Sequence, residues 1–181
     1  AIERWPAPVP PAPAHASWNG AGRIGLVGGE VAFDDVGGLD WEHAEHGPLF
    51  AYQLHFFEWA RASGASPDAR ARAIAHWIER CRGGVGWDSH PISVRAFSWL
   101  LLRSADGAGE ALDAAADEAR RASLDRQLET LSLHLETRLQ ANHLLDNRLA
   151  LVAGALALDG ARSERWLGEA DALAADLREQ F

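Results

Sequence analysis

Residues 144–158 read LLDNRLALVAGALAL, and apart from Asp146, Asn147 and Arg148 every position is apolar or glycine. A helix hydrophobic on almost every side is a buried one. Residues 49–63, LFAYQLHFFEWARAS, have the same character through Phe50, Tyr52, Leu54, Phe56, Phe57 and Trp59. Each of these segments is followed by an amphipathic one. Residues 68–82 space Ile74, Trp77, Ile78 and Cys81 along one face, and the segment from Ser163 does so with Trp166, Leu167, Ala170, Leu173, Ala174 and Leu177. A plain bundle would give every helix a similar stripe. Alternation of fully apolar and amphipathic helices is what a two-layer ring of helical hairpins requires. The predicted fold class is therefore all-α, an incomplete (α/α) toroid with Leu149 and Val152 in its inner layer.

Between these segments lie three further helices. Residues 91–104 begin with Pro91, tolerated in a first turn, and carry Val94, Phe97 and Leu101 on one face. An alanine-rich helix is expected over 110–121. A separate leucine-striped one is expected over 124–140, capped by Ser123. The start of the chain differs. Pro6, Pro8, Pro10, Pro11 and Pro13 predict an extended arm, and the strand formers flanking Gly28-Gly29 in RIGLVGGEVAF (23–33) predict a β-hairpin. The expected division is an arm with a hairpin over 1–44 and a helical domain over 45–181.

Composition narrows the function classes. The net charge of −9 over 181 residues argues against nucleic acid, which needs a basic surface. It also makes a densely sulfated polymer an awkward ligand. No apolar run is long enough for a membrane span. Cys81 is the only cysteine, which excludes an intrachain disulfide and a cysteine-built metal site. Neither a metal nor a cofactor is expected. The opening AIERWPAPVPPAPA lacks the basic start and apolar centre of a secretory signal. The expected location is periplasmic or secreted if a signal has been removed, and cytoplasmic otherwise.

Three stretches place polar groups where a purely structural helix would not. In FAYQLHFFEW (50–59), Tyr52, His55 and Trp59 share a side and can line a groove; alternatively His55 is a hydrogen-bonded core histidine. In WDSHPISVRAFSW (87–99), His90 and Pro91 stand at a helix entrance and Arg95 lies one turn inside, a combination suited to a carboxylate; alternatively Asp88 or Ser89 is a cap and Arg95 pairs with an acid. In QANHLLDN (140–147), Asn142 and His143 open the apolar helix and Asn147 lies one turn on. A cap explains Asn142 but not Asn147, whose mid-helix amide needs a partner. Trp18, Trp41, Trp59, Trp87 and Trp99 either stack on sugars or pack in the core.

The segments LFAYQLHFFEWA, WDSHPISVRAFSWL and LQANHLLDNRLALVAGALAL, preceded by VAFDDVGGLDW, resemble in order and spacing the successive motifs of heparinase II/III-like proteins. The resemblance runs from about Arg23 to the end of the chain. It implies an α/α toroid followed by a β-sandwich, and cleavage of an acidic, uronate-containing polysaccharide by β-elimination. It places Asn142 at the carboxylate-neutralising asparagine, with His143 beside it as catalytic. Tyr52, His55, Trp87, His90, Arg95 and Asn147 are the expected substrate contacts. Tyr52, the only tyrosine, does not match the family's catalytic tyrosine. The resemblance further implies a C-terminal portion of the same protein that completes the site, and little activity without it. The other reading is a glycan-binding or exopolysaccharide-biosynthesis module that keeps the cleft without the chemistry.

Overall fold

A small antiparallel sheet leads into the helices in a computed structural model that describes residues 10–106, 113–137, 142–158 and 160–180. Strands β1 (Ser17–Trp18), β2 (Arg23–Leu26) and β3 (Gly29–Ala32) pair in the order β1-β2-β3. The predicted hairpin is β2–β3, turning between Leu26 and Gly29, with Gly28 at φ 92°. A two-residue hairpin turn favours such a φ, and glycine adopts it without a Cβ clash. The first five expected arm prolines lie partly outside the described residues. Pro6 and Pro8 are among those outside.

The rest is mostly helical. The helices are α1 (Pro48–Phe56), α2 (Pro67–Arg80), α3 (Ser89–Ala105), α4 (Ala114–Leu133), α5 (Asn142–Ala157), α6 (Ser163–Leu167) and α7 (Glu169–Gln180). Helix α2 starts as its sequence dictates: the Ser66 hydroxyl accepts from the Ala69 N–H at 3.2 Å, and Pro67 occupies the first turn.

Several boundaries depart from the sequence reading. The helix expected over 49–63 stops at Phe56, because Phe57 takes a left-handed conformation (φ 59°). That conformation costs about 1–2 kcal/mol in a non-glycine residue. Complete burial of the Phe57 ring between Trp41, Trp59 and Trp99 contributes about 2–3 kcal/mol, enough to offset it. The helices expected over 110–121 and 124–140 are continuous as α4, since no breaker separates them; residues 107–112 and 138–141 lie outside the described set. Ser123 is accordingly no cap. It is buried in mid-helix and its hydroxyl accepts from Gln127 Nε2 at 3.0 Å. The last expected helix divides at Gly168 into α6 and α7.

Helix α3 holds the centre, packed against α1, α4 and α5. Its buried positions (Pro91, Ile92, Ser93, Arg95, Ala96, Ser98 and Trp99 to Leu102) cover most of its circumference, leaving half-buried the face of His90, Val94 and Phe97. In α5 burial is one-sided: Ala150, Leu151 and Ala153 to Ala155 are buried, whereas Leu149 is 40% exposed and Val152 half-buried. The innermost helix is thus α3, and the placing of Leu149 inside is corrected. Asp117 of α4 ties that helix to α3 by accepting from Arg103 (2.9 Å), and accepts also from Arg120 of its own helix (2.8 Å). Burial alone would raise its pKa, but the hydrogen bonds from Arg103 and Arg120 hold it down to about 2.

One apolar core spans sheet and helices, taking in Trp18, Ile24, Leu26 and Val31 with Trp59, Trp77 and Trp99. The hairpin turn is also fastened by polarity: Gln53 of α1 accepts from the Val27 N–H at 2.9 Å. The core is therefore continuous across the expected boundary at residue 44. None of the described helices is long and apolar enough to cross a membrane.

Candidate functional site

Helices α3 and α5 lie side by side and begin at the same end, which brings His90 against His143. Their imidazoles stack with centroids 4.0 Å apart and planes 10° apart. His143 Nδ1 is 3.4 Å from Glu136 Oε1, and His90 Nδ1 is 3.7 Å from Asp146 Oδ2. Phe56 closes over His90 edge-on at 5.2 Å. Beside His90 opens a cavity of about 390 Å³, lined in part by Phe56, Glu58, Arg61, His90, Ser98 and Asp146; Asn142 and His143 do not line it. Asn142 is exposed on the first turn of α5, next to His143.

Asn147 supports this arrangement from below and does not reach solvent. Its Oδ1 accepts from the Glu136 N–H at 3.0 Å, and its Nδ2 donates to Ser93 Oγ at 2.8 Å and to Glu136 Oε2 at 3.3 Å. The mid-helix amide is thereby satisfied. It pins Glu136 to the helix pair, so its role is positional and not contact with a ligand.

The electrostatics follow from partial burial. His90 has its pKa lowered, first by desolvation and then by the His143 charge, with Glu136 opposing. Asp146 has its pKa raised, first by desolvation and further by Glu58 and Glu136, with His143 opposing. An imidazole moved down and a carboxyl moved up approach one another in proton affinity, as acid–base sites require. Tyr52 of α1 approaches the same end and donates to Asp88 Oδ2 at 2.6 Å. That hydrogen bond, followed by burial and the charges of Asp88 and Glu136, pushes its pKa up to about 12. Tyr52 therefore keeps its proton at neutral pH.

The remaining expected contacts belong to a closed network. His55 and Arg95 are both 0% exposed. His55 Nδ1 accepts from Trp77 Nε1 at 2.9 Å, and burial, with the Arg95 charge next, pushes its pKa down to about 3, opposed by the Trp41 backbone. Arg95 donates from Nε to Gln127 Oε1 (2.8 Å), from Nη1 to the His55 carbonyl (3.2 Å) and from Nη2 to the Gly86 carbonyl (2.8 Å). Its guanidinium carbon sits 3.9 Å from the Trp77 ring centroid. Burial moves its pKa down to about 9, which leaves it charged at neutral pH. A Cβ on Gly86 would lie 2.6 Å from His55 Nδ1, so glycine is required there. His55 and Arg95 thus share no cleft with Asn142 and His143, because every approach to them is packed.

Trp18, Trp41, Trp59 and Trp99 are also buried and cannot stack on a sugar. Trp87 keeps partial exposure, although its Nε1 donates to the Cys81 carbonyl at 3.0 Å and its ring stacks on Trp77.

Four site residues escaped the sequence reading: Ser93, Glu136, Asp146 and Arg61. Asp146 lies three residues after His143, which by itself puts the two on one helical face. Glu136 and Ser93 carry no local signal, since only tertiary packing brings them to Asn147. Arg61 was hidden by the helix expected to run through it; it pairs with Glu58 at 3.0 Å instead.

No family model matches the chain, and no curated protein or solved structure matches it either.

Proposed function

We propose that the chain is the helical, N-terminal part of a polysaccharide lyase that cleaves a uronic-acid-containing polysaccharide by β-elimination. The observation that carries this reading is the stacking of His143, which follows Asn142 at the start of α5, on His90 at the start of α3, with His90 lining an open cavity. Two helix starts provide a positive potential and free N–H groups for a carboxylate. The Asn142 amide adds donors without a charge. A neutralised uronate carboxylate acidifies the neighbouring C–H, and a neutral imidazole of the pair is placed to accept that proton. Glu136 and Asp146 oppose an anionic ligand, which a protonated imidazole offsets. In this reading the helices are part of an incomplete (α/α) toroid, an arrangement supported by the burial of α3 on all but its cavity-lining face.

A second reading, a glycan-binding module without chemistry, is favoured by one observation: the only tyrosine is held protonated by Asp88. One experiment separates the two. The chain is titrated with oligomers of alginate, hyaluronan, heparan sulfate and polyglucuronate. Amide chemical shifts report binding, and ultraviolet absorbance reports the unsaturated product. Saturable binding that Asn142→Ala and His143→Ala each weaken at unchanged melting temperature supports the site. Product formation by the longer protein that carries the C-terminal portion supports the lyase; binding without product by that longer protein supports the module. Failure to bind any of the four overturns both.

A further inference from the structure

We infer that His43, Glu45 and His46 form a binding site for a divalent transition-metal ion of the zinc class. The three donors stand in the sequence HAEH, on the short 3-10 turn (Ala44–His46) that precedes α1, and are distinct from the His90–His143 cluster.

The ligand separations carry the argument. His43 Nδ1 lies 3.6 Å from Glu45 Oε1, and His46 Nε2 lies 3.9 Å from the same oxygen. A tetrahedral ion with bonds of about 2.0–2.1 Å separates its ligand atoms by roughly 3.3 Å. Small side-chain adjustments close that difference. The two imidazoles are tilted by 42° with centroids 5.8 Å apart, so their planes can converge on one ion. The His90–His143 rings are parallel, and parallel stacked rings direct their nitrogens side by side instead of toward a shared point.

Three further observations point the same way. His43 is 9% exposed, yet both ring nitrogens are buried without a hydrogen-bond partner. Buried polar groups are nearly always satisfied, and a metal would satisfy the Nδ1 that faces the Glu45 carboxylate. His43 also holds a positive φ of 31°, which is uncommon for a residue with a side chain and costs free energy. Finally, buried Phe50 packs against both imidazoles, at 4.5 Å from His46 and 5.9 Å from His43, and restricts their orientation.

The donor set, two imidazoles and one carboxylate, suits zinc and its neighbours better than calcium or magnesium, which take oxygen ligands. Glu45 is exposed, so the ion can enter from solvent and keep an open fourth position for water. The site lies where the turn meets α1 and the hairpin, since a Cβ on Gly29 of β3 would stand 3.3 Å from His46 Nδ1. A bound ion would staple these elements together.

The test uses the untagged chain carrying His90→Ala and His143→Ala, so that the other histidine cluster contributes nothing. Zinc chloride is titrated by calorimetry, and cobalt(II) is followed by its visible ligand-field absorption. The expected result is one ion per chain, a tetrahedral-type cobalt spectrum and a melting temperature that rises with zinc and falls back with chelator. Glu45→Gln, at an exposed position, should weaken affinity at least about tenfold with the far-ultraviolet circular dichroism unchanged. His46→Ala should abolish the cobalt band. Absence of saturable binding, or binding that persists unchanged in Glu45→Gln and His46→Ala, overturns the site.

Discussion

The imidazoles of His90 and His143 lie parallel, 4.0 Å between centroids, each on the first turn of a different helix. Two rings this close cannot both be protonated without mutual repulsion, and desolvation already disfavours charge on His90. The ring proton of His90, followed by NMR against pH, should titrate below its ordinary value of about 6.5. His143→Ala should move that midpoint up, by restoring solvent and removing a charge. Glu136→Gln should move it down, by removing the carboxylate that opposes the shift. Movement in the same direction in both variants would mean that the pair is not electrostatically coupled as described.

His55 makes the fold itself sensitive to acid. In the folded chain its pKa is pushed down to about 3, whereas the unfolded chain binds a proton near pH 6.5. Its neutral, buried form therefore contributes stability fully above pH 6.5, and that contribution is lost as pH falls toward 3. Linkage gives a loss of a few kcal/mol between about pH 6 and pH 4 from this group alone. His76 and His90, also lowered, add to the slope. Urea denaturation across that range should show the decline. His55→Gln, which keeps an acceptor for Trp77 Nε1 but does not titrate, should flatten it. An equally steep profile in the variant would assign the slope to other groups.

What the sequence made legible was mostly local. The stripe of Ile74 and Trp77, the Ser66-Pro67 start and the glycine-turned hairpin each follow from neighbours in the chain. The stop after Phe56 was not legible, because the left-handed Phe57 is offset by burial against Trp41 and Trp99, which only the fold brings to it. Asn147 was recognisable as an amide needing partners, yet Ser93 and Glu136 arrive through tertiary packing. His55 and Arg95 show the main limit. Polar groups on apolar helices announce a polar network, but spacing within one helix cannot tell a closed network from an open cleft.

The two faces of α5 give a direct check on the packing. Leu151 is fully buried, while Leu149 is 40% exposed. Leu151→Asp buries an unpaired charge, with a cost of several kcal/mol that approaches a typical domain's whole stability of about 5–15 kcal/mol. Leu149→Asp leaves its carboxylate near water and should cost no more than about 1 kcal/mol. Thermal melts of the two should therefore differ widely. Similar melting temperatures would contradict the orientation of α5.

Arg95 offers the sharpest separation between structure and ligand binding. Its guanidinium reaches three acceptors, on Gln127, His55 and Gly86, and lies over the Trp77 ring. A lysine presents one compact ammonium in place of a planar fork, so it cannot reproduce this spread of bonds or the stacking. Arg95→Lys should therefore leave at least two buried acceptors unpaired, at about 1–3 kcal/mol each. With a typical slope of about 1–3 kcal/mol per molar urea, the unfolding midpoint should fall by roughly 1 M or more. Arg95→Met keeps some of the packing on Trp77 but supplies no donor, and should be at least as destabilised. Both variants should retain oligouronate binding in the fraction that remains folded, since Arg95 has no exposed surface with which to touch a polymer. A lysine variant as stable as the parent but deficient in binding would place the guanidinium in the cleft after all. The network at His55 and Gly86 would then have to open in solution.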